Sequence, residues 1–171
     1  MTIRRATPAD LPALHDLHLA NWREAYRELL PDSALQEAAA RYLADRWGPG
    51  ALARDSVLVC PAAKGGLAGF VAFRQDESEG IFVDNLHVGA ASRVEGLARM
   101  LMTAVARDAG ARPVWLTVLD GNLRARAVYR RWNGVESAPF AADFLGITLH
   151  DRRVDWPSGR ALLRALGGVD A

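Results

Sequence analysis

The stretch Arg93-Val94-Glu95-Gly96-Leu97-Ala98 joins a β-like run ending at Val88 to an apolar periodic run that starts at Leu97. A strand that feeds straight into a helix aims the helix's free N–H groups at the crevice beyond the strand end. Partial positive charge gathers there. Gly96 lets the backbone approach a bulky anion, and the small Ala98 avoids a clash on the next turn. These residues fit an anion cradle. They also suit an ordinary strand-to-helix turn in which glycine serves tight packing. Two nucleotide motifs, G-x-x-x-x-G-K-S/T and G-x-G-x-x-G, do not occur.

Groups that could move a proton lie nearby in sequence or on the first helix. Asp84 and His87 are three apart on the strand before the cradle, so regular alternation places them on opposite faces. Glu24 and His18 are further candidates. Tyr129 follows Asn122 by seven residues, about two helical turns, which returns it to nearly the same face. By itself it reads rather as a packed aromatic with a hydrogen-bonded hydroxyl. His15 and His18 share a helix face without further ligands at metal spacing, which argues against a metal site. Cys60 reads as a strand core residue with nothing nearby to activate it.

The elements that must position these groups are readable in outline. The run 2–7 is a short strand. Thr7 suits an N-cap and Pro8 the first helical position, with Asp10 in the first turn. Leu11, Leu14, Leu17 and Leu19 lean toward helical spacing. Pro31 interrupts, a second helix starts at Asp32 or Ser33 and runs to about Trp47, and Gly48-Pro49-Gly50 ends it. Strands are expected over 56–60, 67–75 and 81–88, the last two forming an antiparallel hairpin. Leu97, Leu101, Val105 and Ala109 predict a helix stopped by Gly110. A strand over 114–120 precedes a helix over 122–132, closed by Asn133-Gly134. Runs 135–144 and 147–156 read as a closing hairpin, and 158–166 as a short terminal helix. The pattern predicts a mixed sheet with helices on both faces.

The chain has 171 residues, half of them hydrophobic, which favours one domain over 1–171 with 157–171 as a tail or short helix. A formal net charge of +1 speaks against a nucleic-acid partner. Lys64 is the only lysine beside an arginine-rich set of cations, a composition bias. A single cysteine cannot form an internal disulfide, so a cytoplasmic location is expected. The N-terminal run lacks the apolar segment of a signal peptide, and no apolar run is long enough to span a membrane.

The run 84–105 resembles the acyl-coenzyme A signature of the GNAT acetyltransferase superfamily. That signature is a strand Leu-x-Val, a turn, Arg or Gln-x-x-Gly-x-Gly or Ala, then an amphipathic helix. Leu86, Val88, Arg93, Gly96 and Ala98 match it. A second signature, Asn-x-x-Ala-x-x-Phe or Val-Tyr with a following glycine, is matched by Asn122, Ala125, Val128, Tyr129 and Gly134. The opening run 3–31 looks like the first strand and first two helices of that superfamily. Ala90 stands where a proline is frequent and Glu95 where glycine or a basic residue is frequent.

The resemblance implies a GNAT-type acyl-CoA N-acyltransferase fold: α/β, with a twisted, largely antiparallel mixed sheet flanked by helices on both faces. It implies acetyl-CoA as co-substrate and transfer of an acetyl group to a primary amine of a small molecule or peptide, by direct attack in a ternary complex. The pyrophosphate would sit on the amides of Arg93, Val94, Glu95, Gly96, Leu97, Ala98 and Arg99. The pantetheine arm would run along Leu86, His87 and Val88, where the strand is expected to carry a bulge and to splay from its parallel neighbour. Asn122 and Tyr129 would complete cofactor binding, with Tyr129 donating a proton to the departing thiolate. Asp84 would serve as the base, with His87, Glu24, His18 and a water chain as alternatives. Trp22, Tyr26 and Phe140, with Asp143 and Phe144, would wall the acceptor. A homodimer stays open, dimers being common in the family. The alternative is a domain that senses acyl-CoA without turnover.

Overall fold

The structure is a computed structural model that describes residues 2–168, except for the side chains of Val94 and Glu95. In chain order it contains β1 (Arg4–Arg5), a 3-10 turn (Pro8–Asp10), α1 (Leu11–Ala25), a π-helical segment (Ala34–Ala38) continuous with α2 (Ala39–Arg46), and α3 (Ala51–Arg54). Then come β2 (Ser56–Pro61), β3 (Leu67–Asp76), β4 (Gly80–Val88), a second 3-10 segment (Ala90–Glu95) and α4 (Leu97–Ala109). The chain continues through β5 (Val114–Leu119), α5 (Leu123–Arg131), β6 (Val135–Glu136), β7 (Phe140–Phe144), β8 (Ile147–Trp156) and α6 (Gly159–Ala165). The sheet is mixed and mostly antiparallel, in the order β1-β2-β3-β4-β5-β8-β6, with β7 paired to β8.

The chain divides into two compact units. The first runs to Ala72 and takes in Asn85–Ala98. Its helical start is built by charge and capping. The Asp10 carboxylate accepts from the backbone N–H and hydroxyl of Thr7, and from both terminal nitrogens of Arg4 at 2.8 Å. That Arg4 pairing, helped by Thr7, holds the Asp10 carboxyl far below the usual carboxylate range. Pro8 therefore opens a single 3-10 turn, and the α-helix proper begins at Leu11. Leu14, Leu19, Leu35, Leu43, Trp47, Val59 and Phe70 are buried in this unit. Cys60, the chain's single cysteine, is fully enclosed on β2.

The second unit comprises Phe73–Asp84 and the chain from Arg99 onward. Here β4 pairs parallel with β5 through Ile81–Val114 and Phe82–Trp115, while β5 runs antiparallel to β8 from Val114–Trp156 to Leu119–Asp151. The run 135–144, expected as one strand, is split. β6 pairs Glu136 with Val154, and β7 pairs Phe140 with Asp151, so residues 137–139 face only 152–153. One extra residue on one strand is a bulge. Pro139 lies in it, where a missing N–H costs no ladder bond. The β7–β8 turn uses Leu145 and Gly146 at positive φ, as a two-residue hairpin loop of this kind requires. Gly159, first residue of α6, lies where a Cβ would meet the Ala106 carbonyl oxygen at 2.3 Å and the Ala109 Cβ at 2.7 Å.

Candidate functional site

In the first unit β4 ends at Val88, and Gly89 donates to the Ala68 carbonyl at 2.8 Å. The six-residue 3-10 segment then carries the chain to Gly96, whose φ of 70° is left-handed. Leu97 opens α4, which is 13 residues long. The glycine is thus needed first for its backbone: an L side chain at that φ is strained. A Cβ placed there would meet nothing within 4 Å, so the space beside the backbone is open. An open space at the N-terminal end of a long helix suits a diphosphate. Leu97 is buried and anchors the turn, Ala98 is half-buried, and Arg99 is exposed. The expected contributions of the Val94 and Glu95 side chains lie outside the described residues.

The Arg93 side chain does not reach outward alone. Both terminal nitrogens meet the Glu24 carboxylate at 2.5 Å, and one also donates to the Asn21 side-chain oxygen at 3.4 Å. Glu24, a base candidate by sequence, is therefore chelated by a guanidinium. Asn21 in turn directs its amide nitrogen to the Val88 carbonyl and to Nδ1 of His87, both at 3.3 Å. Asn21 carried no signal in the motifs. The readable sign was the spacing His18, Asn21, Glu24, one polar residue every three along α1. That spacing keeps them on one stripe.

His18 is buried at 1 % exposure, its ring 4.2 Å from that of His87 and 4.6 Å from Trp22 between centroids. Its Nδ1 accepts from the Trp47 indole at 3.1 Å. An indole N–H can only donate, so the neutral ring carries its proton on Nε2. That atom is buried and has no partner among the described residues. Burial pulls the His87 imidazole down to about 3. Burial, then the charges of His87, Arg46 and His15, push His18 well below its ordinary value. Both rings are neutral at pH 7. The unfolded chain takes up protons below about pH 6.5 and the folded chain does not. Stability is thus fully present above pH 6.5 and declines on acidification, by about 1.4 kcal/mol per pH unit for each imidazole. Urea melts between pH 7 and pH 5 should show this decline. A flat profile excludes two neutral rings in the folded chain.

Trp22 stacks on Tyr42 with centroids 5.6 Å apart and planes at 25°, and lies 6.0 Å from Tyr26. Trp22 and Tyr26, both expected in the acceptor wall, thus share an aromatic group. Tyr42, half exposed, is a member the sequence did not reveal, because its partner lies on another helix.

In the second unit Asp84 is half-buried and 3.6 Å from Arg74. Asn122 is the N-cap of α5: its side-chain oxygen accepts from the Ala125 N–H at 3.1 Å. This explains the Asn-x-x-Ala spacing, since an N-cap reaches the third residue on. Tyr129 is 8 % exposed, with ring centroids 6.0 Å from Trp132 and 6.1 Å from Trp156. Burial pushes its phenol up to about 12. Asn133 closes the helix at a φ of 57°. Phe140 sits on β7 at 42 % exposure. Among the described residues no three His, Cys, Asp or Glu side chains converge on a metal position, and no helix is long and apolar enough to cross a membrane.

Comparison with known proteins bears on the family and the fold. The model of the Acetyltransferase (GNAT) family matches residues 11–135. An uncharacterized N-acetyltransferase, YuaI, of Bacillus subtilis (strain 168) is 23 % identical over 169 residues, covering 95 % of this chain and 96 % of that protein. The PaiA N-acetyltransferase of Thermoplasma acidophilum, solved in complex with coenzyme A, superposes with a TM-score of 0.65 at 13 % identity. That match covers 91 % of this chain and 98 % of the other. A ribosomal-protein-alanine N-acetyltransferase of Brucella melitensis gives a TM-score of 0.61 at 22 % identity, over 91 % and 99 % of the two chains.

Proposed function

Since this chain belongs to the GNAT acetyltransferase family, we propose that it moves an acetyl group from acetyl-CoA to a primary amine of a small molecule or peptide. The carrying observation is the left-handed Gly96 between the 3-10 segment and the start of α4, with open space beside it. The amides from Arg93 to Arg99 would hold the diphosphate, and the backbone of Leu86–Val88 the pantetheine arm. When bound, acetyl-CoA supplies an activated thioester. The amine nitrogen forms the new bond to the acyl carbon as the carbon–sulfur bond breaks. Proximity of the two reactants would supply much of the rate. The amine's proton leaves to Asp84 or to water, and the Tyr129 hydroxyl donates to the departing sulfur. Trp22 and Tyr26, with Phe140, are proposed to receive the acceptor. A cytoplasmic location accords with the single unpaired cysteine.

Thiol release from acetyl-CoA across a broad panel of amines tests this reading. Turnover with at least one amine is expected. Coenzyme A binding without thiol release for any amine would instead indicate a sensor.

The cradle has its own test. Gly96→Val forces a β-branched residue to a left-handed φ, a strain of about 1–3 kcal/mol that the loop relieves by shifting. Coenzyme A affinity should fall about tenfold or more by calorimetry in a variant that still folds. Unchanged affinity would remove Gly96 from the binding site.

A further inference from the structure

One side-chain amide meets three groups that the acetyl-transfer reading would use. We propose that Asn21 is a positioning residue, which sets the tautomer of His87 and ties it to the Arg93–Gly96 cradle. The proposal rests on that reading of the cradle.

The orientation of the amide is determined twice over. The Val88 carbonyl can only accept, so the Asn21 NH2 must face it. The Arg93 guanidinium can only donate, so the Asn21 oxygen must face that side. The NH2 therefore also meets His87 Nδ1 as a donor. A neutral His87 that accepts at Nδ1 carries its proton on Nε2. The ring's one basic lone pair is then spent on Asn21, and the ring offers an N–H. His87 is thereby a hydrogen-bond donor toward whatever lies at Nε2, and not the base that takes the amine's proton. His18 is set the same way, its Nδ1 taken by Trp47. Each ring of the pair is held at Nδ1 by a neutral donor.

The same amide reaches the cradle through Arg93, which Glu24 fixes from the other side. Among the groups around the His87 ring, His18 on α1 is titratable, Phe70 on β3 is apolar, and Arg93 lies beyond Asn21. Loss of Asn21 would free both the imidazole tautomer and one contact of Arg93.

The test is nitrogen-15 spectroscopy of the imidazole rings at pH 7, with two-bond proton–nitrogen correlations and His87→Gln to identify the signal. The wild type should show His87 protonated at Nε2 alone. In Asn21→Asp the carboxylate has no NH2, and the proton should move to Nδ1 or the ring become doubly protonated. In Asn21→Ala both neutral tautomers should be populated, and coenzyme A affinity should fall about three- to tenfold, the scale of one typical intramolecular hydrogen bond. A wild-type His87 protonated at Nδ1 overturns the proposal, and that measurement needs no variant. So does a single Nε2 proton in both Asn21 variants, or an unchanged coenzyme A affinity in Asn21→Ala. Failure of the wild type to bind coenzyme A would instead overturn the reading of the cradle, while the spectra still decide what sets the tautomer.

Discussion

Tyr129→Phe is expected to lower kcat for acetyl transfer by about 10²-fold, the lower end of what general-acid assistance contributes. The change removes one oxygen and keeps the ring that packs near Trp132 and Trp156. Among the described residues the hydroxyl makes no hydrogen bond, so its loss breaks no internal contact. Burial holds the phenol near 12, so it is protonated throughout the neutral range and available to donate. Coenzyme A affinity and Tm should therefore stay near wild-type while kcat falls. The measurement is kcat with an accepted amine, alongside calorimetry and thermal melting. Equal kcat values would remove Tyr129 from the reaction. A loss of kcat matched by a loss of stability would mark it as packing alone.

Gly159→Ala should have a large effect on stability, without touching any residue of the proposed chemistry. The added methyl would lie 2.3 Å from the Ala106 carbonyl oxygen, 2.7 Å from the Ala109 Cβ and 2.9 Å from the Gly110 nitrogen. Two of these are backbone atoms, and none is the end of a flexible side chain. Relief requires α6 to move from the end of α4, which also strains the bonds from Gly159 to Arg112 and from Arg160 to Gly110, both 2.9 Å. Overpacking of this kind costs about 3 kcal/mol. In a chain of this size that lowers Tm by about 6–12 °C. A Tm within about 2 °C of wild-type would show that α6 is not closely seated.

The long elements were legible because each carries its pattern within itself. The spacing from Leu97 to Ala109 defines α4, and Gly110 ends it at a φ of 59°. Asn133 ends α5 in the left-handed region, as its side chain allows. What escaped was six residues or fewer in length. The segments Ala51–Arg54 and Ala90–Glu95 are too short to show a period, and the π-helical stretch Ala34–Ala38 widens a helix without altering its composition. The site divides in the same way. The proposed cradle and the Asn122 cap are local and were read from spacing. Asn21 joins residues 66 to 72 positions away. No window along the chain can show that a polar residue beside Trp22 has three partners waiting.

The enclosure of Cys60 makes the protein its own blank in a colorimetric assay. A disulfide reagent added to the folded chain has no accessible protein thiol to consume, since Cys60 is 0 % exposed. Colour would then report released coenzyme A alone, and slow amines could be screened at high enzyme concentration without a rising background. With the chain unfolded, the same reagent would titrate one thiol per molecule. The rate at which it does so in the absence of denaturant would measure how often the β2 region opens.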